Sequence, residues 1–453
     1  MKKIAIVSEY FAPQNEIASI RITKIAKYLN KTGNYQITVI TRKKENVMID
    51  GILKKDAESI SDYIEIEDGK TTQWLLNFLD GSPKKKFPSK DMLTKEKLIE
   101  NNSKDSKYWE ECKKEWISLK RYLRVLLFNY LYYLDAIKIL EKEKRDFDVI
   151  FSSYGPTSSH FIGRYLKEKN PHSYWIADFR DPVLSDHTPK IFRFRDRRFA
   201  SSVCKKADVI TPVSPGMIEQ LHLRKGTKIE WISNGYDSDD METFCTEKNY
   251  KPFLESPKSK MRMAYLGSLY SGKRDLRPIF KAIKELILEK KINSDNIELI
   301  YAGPSKEVFA QQISQYGLTE NALIFDKIER EKSISIQLES DILLLASWNE
   351  TGYIGVMTGK LYENLMIKKP ILCTISGNLP HSDLKEFIEK GQLGFCYEEA
   401  SGEIPFAELK QYIYEQYWEY TKNGCLRLDR NEQFISQFHH KNIVQKIISL
   451  IEK

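Results

Sequence analysis

Short apolar runs bounded by turn residues alternate along this chain with longer stretches in which apolar residues recur every three or four positions. "KKIAIV" and "QITVIT" flank "ASIRITKIAKYLNKTG", where Ile22, Ile25, Ala26 and Leu29 share one helical face and Gly33 supplies the stop. A strand, a helix and a strand in that order predict a parallel βαβ unit, the start of a doubly wound sheet. Further strands are predicted at "FDVIFSS" (147–153), "SYWIADFR" (173–180), "ADVITPVS" (207–214) and "IEWISNG" (229–235), with helical stretches between them.

The scheme then restarts. "MRMAYLGS" (261–268) is followed by the helix "IFKAIKELILEK", the strand "IELIYAG", a helix, the strand "ALIFD", the helix "EKSISIQLES", the strand "DILLLAS" (341–347) and the strand "PILCTI"; helices close the chain. We therefore expect an α/β fold of two Rossmann-like parallel-sheet domains, residues 1–240 and 261–425, joined by a polar linker at 241–260. Residues 426–453 form a last helical segment that could pack back on the first domain. Within the first domain, residues 43–115 lose the pattern and become rich in lysine and acids, which predicts a surface insertion. The helix after it, "EWISLKRYLRVLLFNYLYYLDAIKILEKEK", is rich in aromatics that suit a core, with a basic stretch at Lys120, Arg121 and Arg124 whose role stays open.

Composition narrows the class. At 453 residues, 41% hydrophobic and 30% charged, the chain has the make-up of an ordinary globular protein of two or more domains. No run approaches the ~20 apolar residues of a membrane span. "MKKIAIVSEYF" is read as a strand, not a signal peptide, because Glu9 interrupts the short apolar run and no small-residue cleavage site follows. Six scattered cysteines lack metal-ligand or redox spacing, which fits reduced thiols in a cytoplasmic protein. The net charge of +8 admits nucleic acid, an anionic membrane surface or an anionic substrate. The dispersed bases argue against nucleic acid.

In open α/β sheets, ligands bind where loops converge at the carboxyl ends of strands, and two segments there carry phosphate-directed chemistry. "GSLYSGKRD" places Gly267, Ser268, Lys273 and Arg274 between a strand and a helix. "GVMTGKLYENL" places Gly355, Thr358, Gly359, Lys360 and Glu363 at another helix start, where a cation is disfavoured unless an anion sits nearby. The bland alternatives are an ordinary turn with solvated bases and a Lys360–Glu363 surface pair worth a few tenths of a kcal/mol. Cations on two loops, with a carboxylate able to accept from paired sugar hydroxyls, suit a nucleotide-diphosphate sugar.

"SEYFAPQ", "FSSYGPTSSH", "WIADFRDP", "ADVITPVS", "WISNGYD", "YLGSLYSGKRDL" and "GVMTGKLYENLMIKKPIL", in that order, resemble the GT-B fold glycosyltransferases of the retaining family 4 type, in the branch of bacterial surface-polysaccharide biosynthesis. The resemblance spans nearly the whole chain except the insertion. It implies a metal-independent hexosyltransferase with no cofactor, a UDP- or GDP-sugar donor held mainly by the second domain, and a glycan or lipid-linked acceptor at the first. Carried over by position, Glu363 would hold the ribose hydroxyls, Arg274 and Lys273 with the amides near Thr358 would meet the diphosphate, and Asp178, Arg180 and Asp181 would lie beside the reacting sugar. For the two aspartates, capping or a structural pair with Arg180 is nearly as good an account.

Three departures stand out. Gly355 occupies a position where relatives often have glutamate, with Glu350 nearby in a loop; Ser268 replaces a frequent arginine; and "APQNEIASIR" lacks a glycine pair, leaving Arg21 as a candidate cation. The rival expectations are a nucleotide-sugar epimerase of the same architecture and a non-catalytic membrane-associated relative. Lys84, Lys85 and Lys86, with Lys120, Arg121 and Arg124, predict peripheral association with the inner face of an anionic membrane.

Overall fold

The computed structural model describes residues 1–44, 47–80, 104–184, 188–221, 226–246, 252–254, 259–270, 273–402 and 404–452. They divide into two units, Met1–Ser233 together with Val444–Lys453, and Asn234–Ile443.

The first unit runs β1 (Lys2–Val7), α1 (Ile17–Lys31), β2 (Tyr35–Arg42), α2 (Gly51–Ala57), β3 (Asp62–Ile66), α3 (Lys70–Asp80), α4 (Lys104–Glu143), β4 (Val149–Tyr154), α5 (Ser158–Lys169), β5 (Tyr174–Phe179), α6 (Arg193–Lys206), β6 (Val209–Pro212) and α7 (Pro215–Gln220). Its strands form one sheet in the order β3-β2-β1-β4-β5-β6, all parallel, with Ile4 of β1 opposite Ile37 on one side and Val149 on the other. A parallel sheet covered on both faces buries its central strands completely, and Ile4, Ala5, Ile6 and Val7 are buried without a break. The unit is completed by residues from Val444 on: Lys2 Nζ donates to the Ile451 carbonyl at 2.8 Å, and the Tyr35 hydroxyl donates to Glu452 at 2.9 Å.

The second unit runs α8 (Ser238–Thr246), β7 (Met261–Leu266), α9 (Arg277–Leu288), β8 (Ile297–Ala302), α10 (Lys306–Ser314), β9 (Ala322–Phe325), α11 (Arg330–Glu339), β10 (Ile342–Trp348), α12 (Gly359–Ile367), β11 (Ile371–Ser376), α13 (Asp383–Gly391), β12 (Gly394–Glu398), α14 (Ile404–Asn423) and α15 (Glu432–Ser436); α16 (His440–Ile451) crosses the boundary between the units. Its parallel sheet has the order β12-β11-β10-β7-β8-β9. Ile279, Phe280, Ile283 and Leu286 line one face of α9 and are fully buried in the core beside β7 and β8. Each such side chain contributes about 2 kcal/mol of burial.

The two parallel-sheet domains are as expected, and four local expectations change. Within 43–115, "DYIEI" is the edge strand β3, with Ile64 and Ile66 buried, and α2 and α3 flank it. The alternation of a half-buried edge strand was hidden by the charged sequence around it. Residues 236–260 are not featureless, since α8 opens there and Leu254 packs against β7, β8 and α11. "IEWISNG" keeps only a bridge from Ile229 to Ile210, and in the second unit the short half-buried edge strand β12 was not anticipated. The aromatics of α4 are divided: Phe128 and Tyr132 are core, whereas Trp116 and Tyr130 are exposed.

Candidate functional site

In the second unit the chain leaves β7 toward β8 and leaves the adjacent β10 toward β11, in opposite directions along the sheet. The loops after these two strands therefore diverge and open a crevice at their carboxyl ends. Both segments singled out in the sequence lie there. Gly267 has φ +120°, and a Cβ on it would run into the Lys360 side chain, so the glycine is what admits the lysine.

Lys360 stands in the first turn of α12 with Nζ 4.3 Å from the centre of the Tyr265 ring, shielded from solvent and without a hydrogen-bond partner. Burial, reinforced by the charge of Arg274 and opposed by Glu363, holds its pKa well below the ordinary lysine value. Thr358, the N-cap residue, is 7% exposed, and its hydroxyl neither caps the helix nor finds another partner. A shielded ammonium and a buried hydroxyl left open at a helix start form a set that an anionic oxygen completes. Gly355 (φ +77°) shapes the loop before them, and Gly359 is the first helical residue.

Arg274 is fixed by its donation from Nη1 to the Ser268 carbonyl at 2.9 Å and lies over the Tyr270 ring at 4.5 Å. Ser268 thus serves through its backbone. Lys273 is paired with Glu350 and faces the Tyr353 ring at 4.9 Å, so its charge is neutralised locally. The acid near the Gly355 position is committed to a cation of the same loops, and Arg274 and Lys360 are the cations without a carboxylate partner here among the described residues. Glu363 does not pair with Lys360. Its Oε1 accepts from Gln337 Nε2 of α11 at 2.7 Å, which orients the carboxylate. Gln337 carries no signal in the sequence, since its role depends on α11 packing beside α12. Gly272 lies outside the described residues.

In the first unit, Asp178 at the end of β5 is 0% exposed. It accepts from Arg21 Nη2 at 2.7 Å and Nε at 3.2 Å, from Ser153 Oγ at 2.9 Å and from Thr211 Oγ1 at 2.9 Å. Arg21 also donates to the carbonyls of Ile232 and Ser233. The expected candidate cation is therefore the buried partner of Asp178, and the Asp178–Arg180 pair does not form. Arg180 instead donates from Nε to the Tyr154 carbonyl at 2.8 Å and stands 3.8 Å from Asp181, whose carboxylate is half exposed.

The sequence reading missed a further cluster at the ends of β1, β2 and β3. Glu9 pairs with Arg42 at 3.1 Å and accepts from Ser158 Oγ at 3.0 Å, Arg42 stacks on Tyr132 at 4.3 Å, and Asp68 approaches Arg42 at 3.6 Å. Its available signal was position: each acid or base follows a strand closely. Lys44, over the Tyr10 ring at 3.7 Å, has its pKa pulled down to about 8 by burial.

No family model matches the chain. It is 23% identical over 323 residues, 68% of its length, to an uncharacterized glycosyltransferase of Methanocaldococcus jannaschii, of which the match spans 76%. Among solved structures, sucrose-phosphate synthase from Thermosynechococcus elongatus superposes with a TM-score of 0.62 at 11% identity, over 100% of this chain and 98% of that one. UDP-GlcNAc 2-epimerase from Neisseria meningitidis, bound to UDP-GlcNAc, gives a TM-score of 0.51 at 11% identity over 100% of both chains. The architecture is that of the GT-B fold, two parallel six-stranded sheets each wrapped by helices.

Proposed function

We propose that the protein is a glycosyltransferase whose second unit binds a nucleotide-diphosphate sugar, UDP- or GDP-linked, and passes the sugar to a glycan or lipid-linked acceptor in cell-surface polysaccharide synthesis. The observation that carries this is the pair of open groups at the start of α12, the Lys360 ammonium and the Thr358 hydroxyl, beside Arg274. Breaking the bond between sugar and diphosphate puts negative charge on the leaving phosphate. Fixed cations and helix amides stabilise that charge without reorganising, and such electrostatic stabilisation commonly accounts for more of the rate than any other single effect. Glu363, oriented by Gln337, accepts from the ribose hydroxyls. With one lysine and one arginine charge, Lys360 and Arg274, supplied by the chain, we assign a metal-independent reaction of the retaining family 4 type.

Arg180 and Asp181 are assigned to the acceptor side, in the first unit. Asp178 is assigned a positioning role, holding the end of β5 through Arg21, because all its contacts are internal. Cys204, Cys373, Cys396 and Cys425 are free thiols, in keeping with the cytoplasmic enzyme we propose.

Thermal-shift and calorimetric titration with UDP, GDP and their sugars tests the donor site. One nucleotide should bind wild type, and Arg274→Ala should weaken it strongly with the fold retained. No binding by either nucleotide, or unchanged binding in the folded variant, would sink the proposal. The second reading, a nucleotide-sugar epimerase, draws on the likeness to the Neisseria enzyme. Epimer formation from donor alone, without acceptor, would favour it over transfer.

A further inference from the structure

We propose that the first half of α4 and the start of α6 form a docking face for an anionic lipid bilayer, with α4 lying along the surface. No helix among the described residues is long and apolar enough to cross a membrane.

Tyr130 and Tyr132, two residues apart and thus on opposite sides of the helix, show the division: Tyr132 is 1% exposed in the core and Tyr130 is 53% exposed. Trp116, Lys120, Leu123, Leu127 and Tyr130 recur at intervals of four, three, four and three, a single outward stripe. The four apolar members are all exposed, Trp116 at 56% and Leu123 at 45%. At 1.5 Å per residue the stripe is about 21 Å long.

The neighbouring element extends it. Tyr122 stacks on Phe192 with ring centres 5.0 Å apart, and its hydroxyl donates to Asp196, which fixes the start of α6 beside α4. Tyr122 is thereby committed to protein. Beside that contact Ile191 and Phe194 are exposed at 73% and 67%, among exposed Lys190, Arg193, Arg197 and Arg198. Asp196, the acid of that segment, is buried.

Two occupants could cover an outward apolar stripe at this spacing, a second copy of the chain or a membrane surface. Paired helices need opposite charges flanking the seam. From 115 to 134 the charged residues are Glu115 against Lys120, Arg121 and Arg124, so two copies would bring like charges together. An anionic surface reverses the sign of that interaction: aromatics settle at the headgroup level, aliphatics enter below, and bases meet lipid phosphate. Lys84, Lys85 and Lys86 lie outside the described residues and are not needed.

The face is independent of the donor site, and its test uses the full chain without nucleotide. Co-sedimentation with vesicles of phosphatidylcholine, alone or in equal parts with phosphatidylglycerol, should show binding to the anionic vesicles that falls as salt rises. Two variants separate the contributions, Leu123→Glu with Leu127→Glu, and Lys120→Glu with Arg121→Glu and Arg124→Glu. Each changes solvent-facing or half-buried side chains and should lower vesicle affinity by about tenfold or more, with unfolding temperature preserved. Wild type remaining in the supernatant at low salt would overturn the proposal, as would wild-type binding by both variants. Self-association in analytical ultracentrifugation, lost in the double leucine variant and unaccompanied by vesicle binding, would replace it with an interface between copies.

Discussion

The two units share a topology yet treat charge at the ends of their strands in opposite ways. In the first, Arg21 and Asp178 satisfy each other and are bonded in addition to a serine, a threonine and two backbone carbonyls, so both buried charges belong to a closed set. In the second, Lys360 is shielded with no hydrogen-bond partner, and the Thr358 hydroxyl beside it is equally open. A closed set stabilises the fold, and loss of one member exposes the other to the full cost of burial. An open set weakens the fold slightly and reserves its interaction energy for something that arrives later.

The contrast can be broken most forcefully at Asp178. Asp178→Ala strands the Arg21 guanidinium in the core of the first unit and should destabilise that unit by about 3–5 kcal/mol. Calorimetric unfolding, resolved for multiple transitions, measures the loss. A shift below ~1 kcal/mol would mean that Arg21 finds water and that the pair is not closed.

Lys360→Met should do the reverse. Removing a buried cation that nothing satisfies leaves stability equal or higher, while nucleotide affinity falls by about tenfold to a hundredfold, the worth of one charge-assisted contact. A variant that unfolds earlier yet binds UDP or GDP normally would make Lys360 a structural residue like Arg21.

The pH dependence sharpens the same point. The folded pKa of Lys360 lies well below its unfolded value of 10.5, so the unfolded chain holds a proton that the folded chain resists. Stability contributed by this group is therefore lost as pH falls from the unfolded value through the depressed folded one. An arriving diphosphate favours the charged form and raises that pKa back toward the ordinary lysine value. Affinity should be level below the depressed pKa and then decline with rising pH, by up to about tenfold per unit. Calorimetry in buffers of different ionisation heat should register proton uptake on binding, and its absence across that range would refute the linkage.

The smallest effect is expected at Gln337. Gln337→Leu removes one hydrogen bond to Glu363 and should raise KM for the donor a few-fold with kcat nearly unchanged, about 1 kcal/mol of lost orientation. Rescue by Gln337→Asn is not expected, because the shorter amide falls short of Oε1. A kcat loss equal to the KM change would assign Glu363 to the reacting centre instead of the ribose.

Much of this was legible in the chain. The central strands read clearly because parallel strands buried on both faces are continuous apolar runs, whereas edge strands such as β3 and β12, covered on one side, left too short an alternation to be distinguished from loops. The glycines and cations of the second unit were found because each lies between the end of a strand and the first turn of the helix that follows. What their neighbours do was not legible. That Lys273 takes Glu350, that Gln337 takes Glu363 and that Arg21 takes Asp178 depends on contacts across 26 to 157 positions, which no local spacing reports. The "DFRD" stretch was located correctly as a strand end, but burial separated its two aspartates: Asp178 is enclosed while Asp181 stays half exposed.

The second unit is one continuous stretch of chain, whereas the first is assembled from residues on both sides of that stretch. In order of synthesis this means that the second unit holds all its contacts before the first receives its last segment. Lys2 and Tyr35, among the earliest residues made, wait for Ile451 and Glu452 across more than four hundred positions. Closing so long a loop adds little thermodynamic cost, since that cost grows only with the logarithm of length, but it delays the search. Until then the first unit lacks Ile447, Ile448 and Ile451, all buried in the finished protein. The nucleotide-directed unit can thus mature ahead of its companion, and a nascent chain stalled before residue 444 has all six strands of the first sheet but lacks the helical segment that completes the unit.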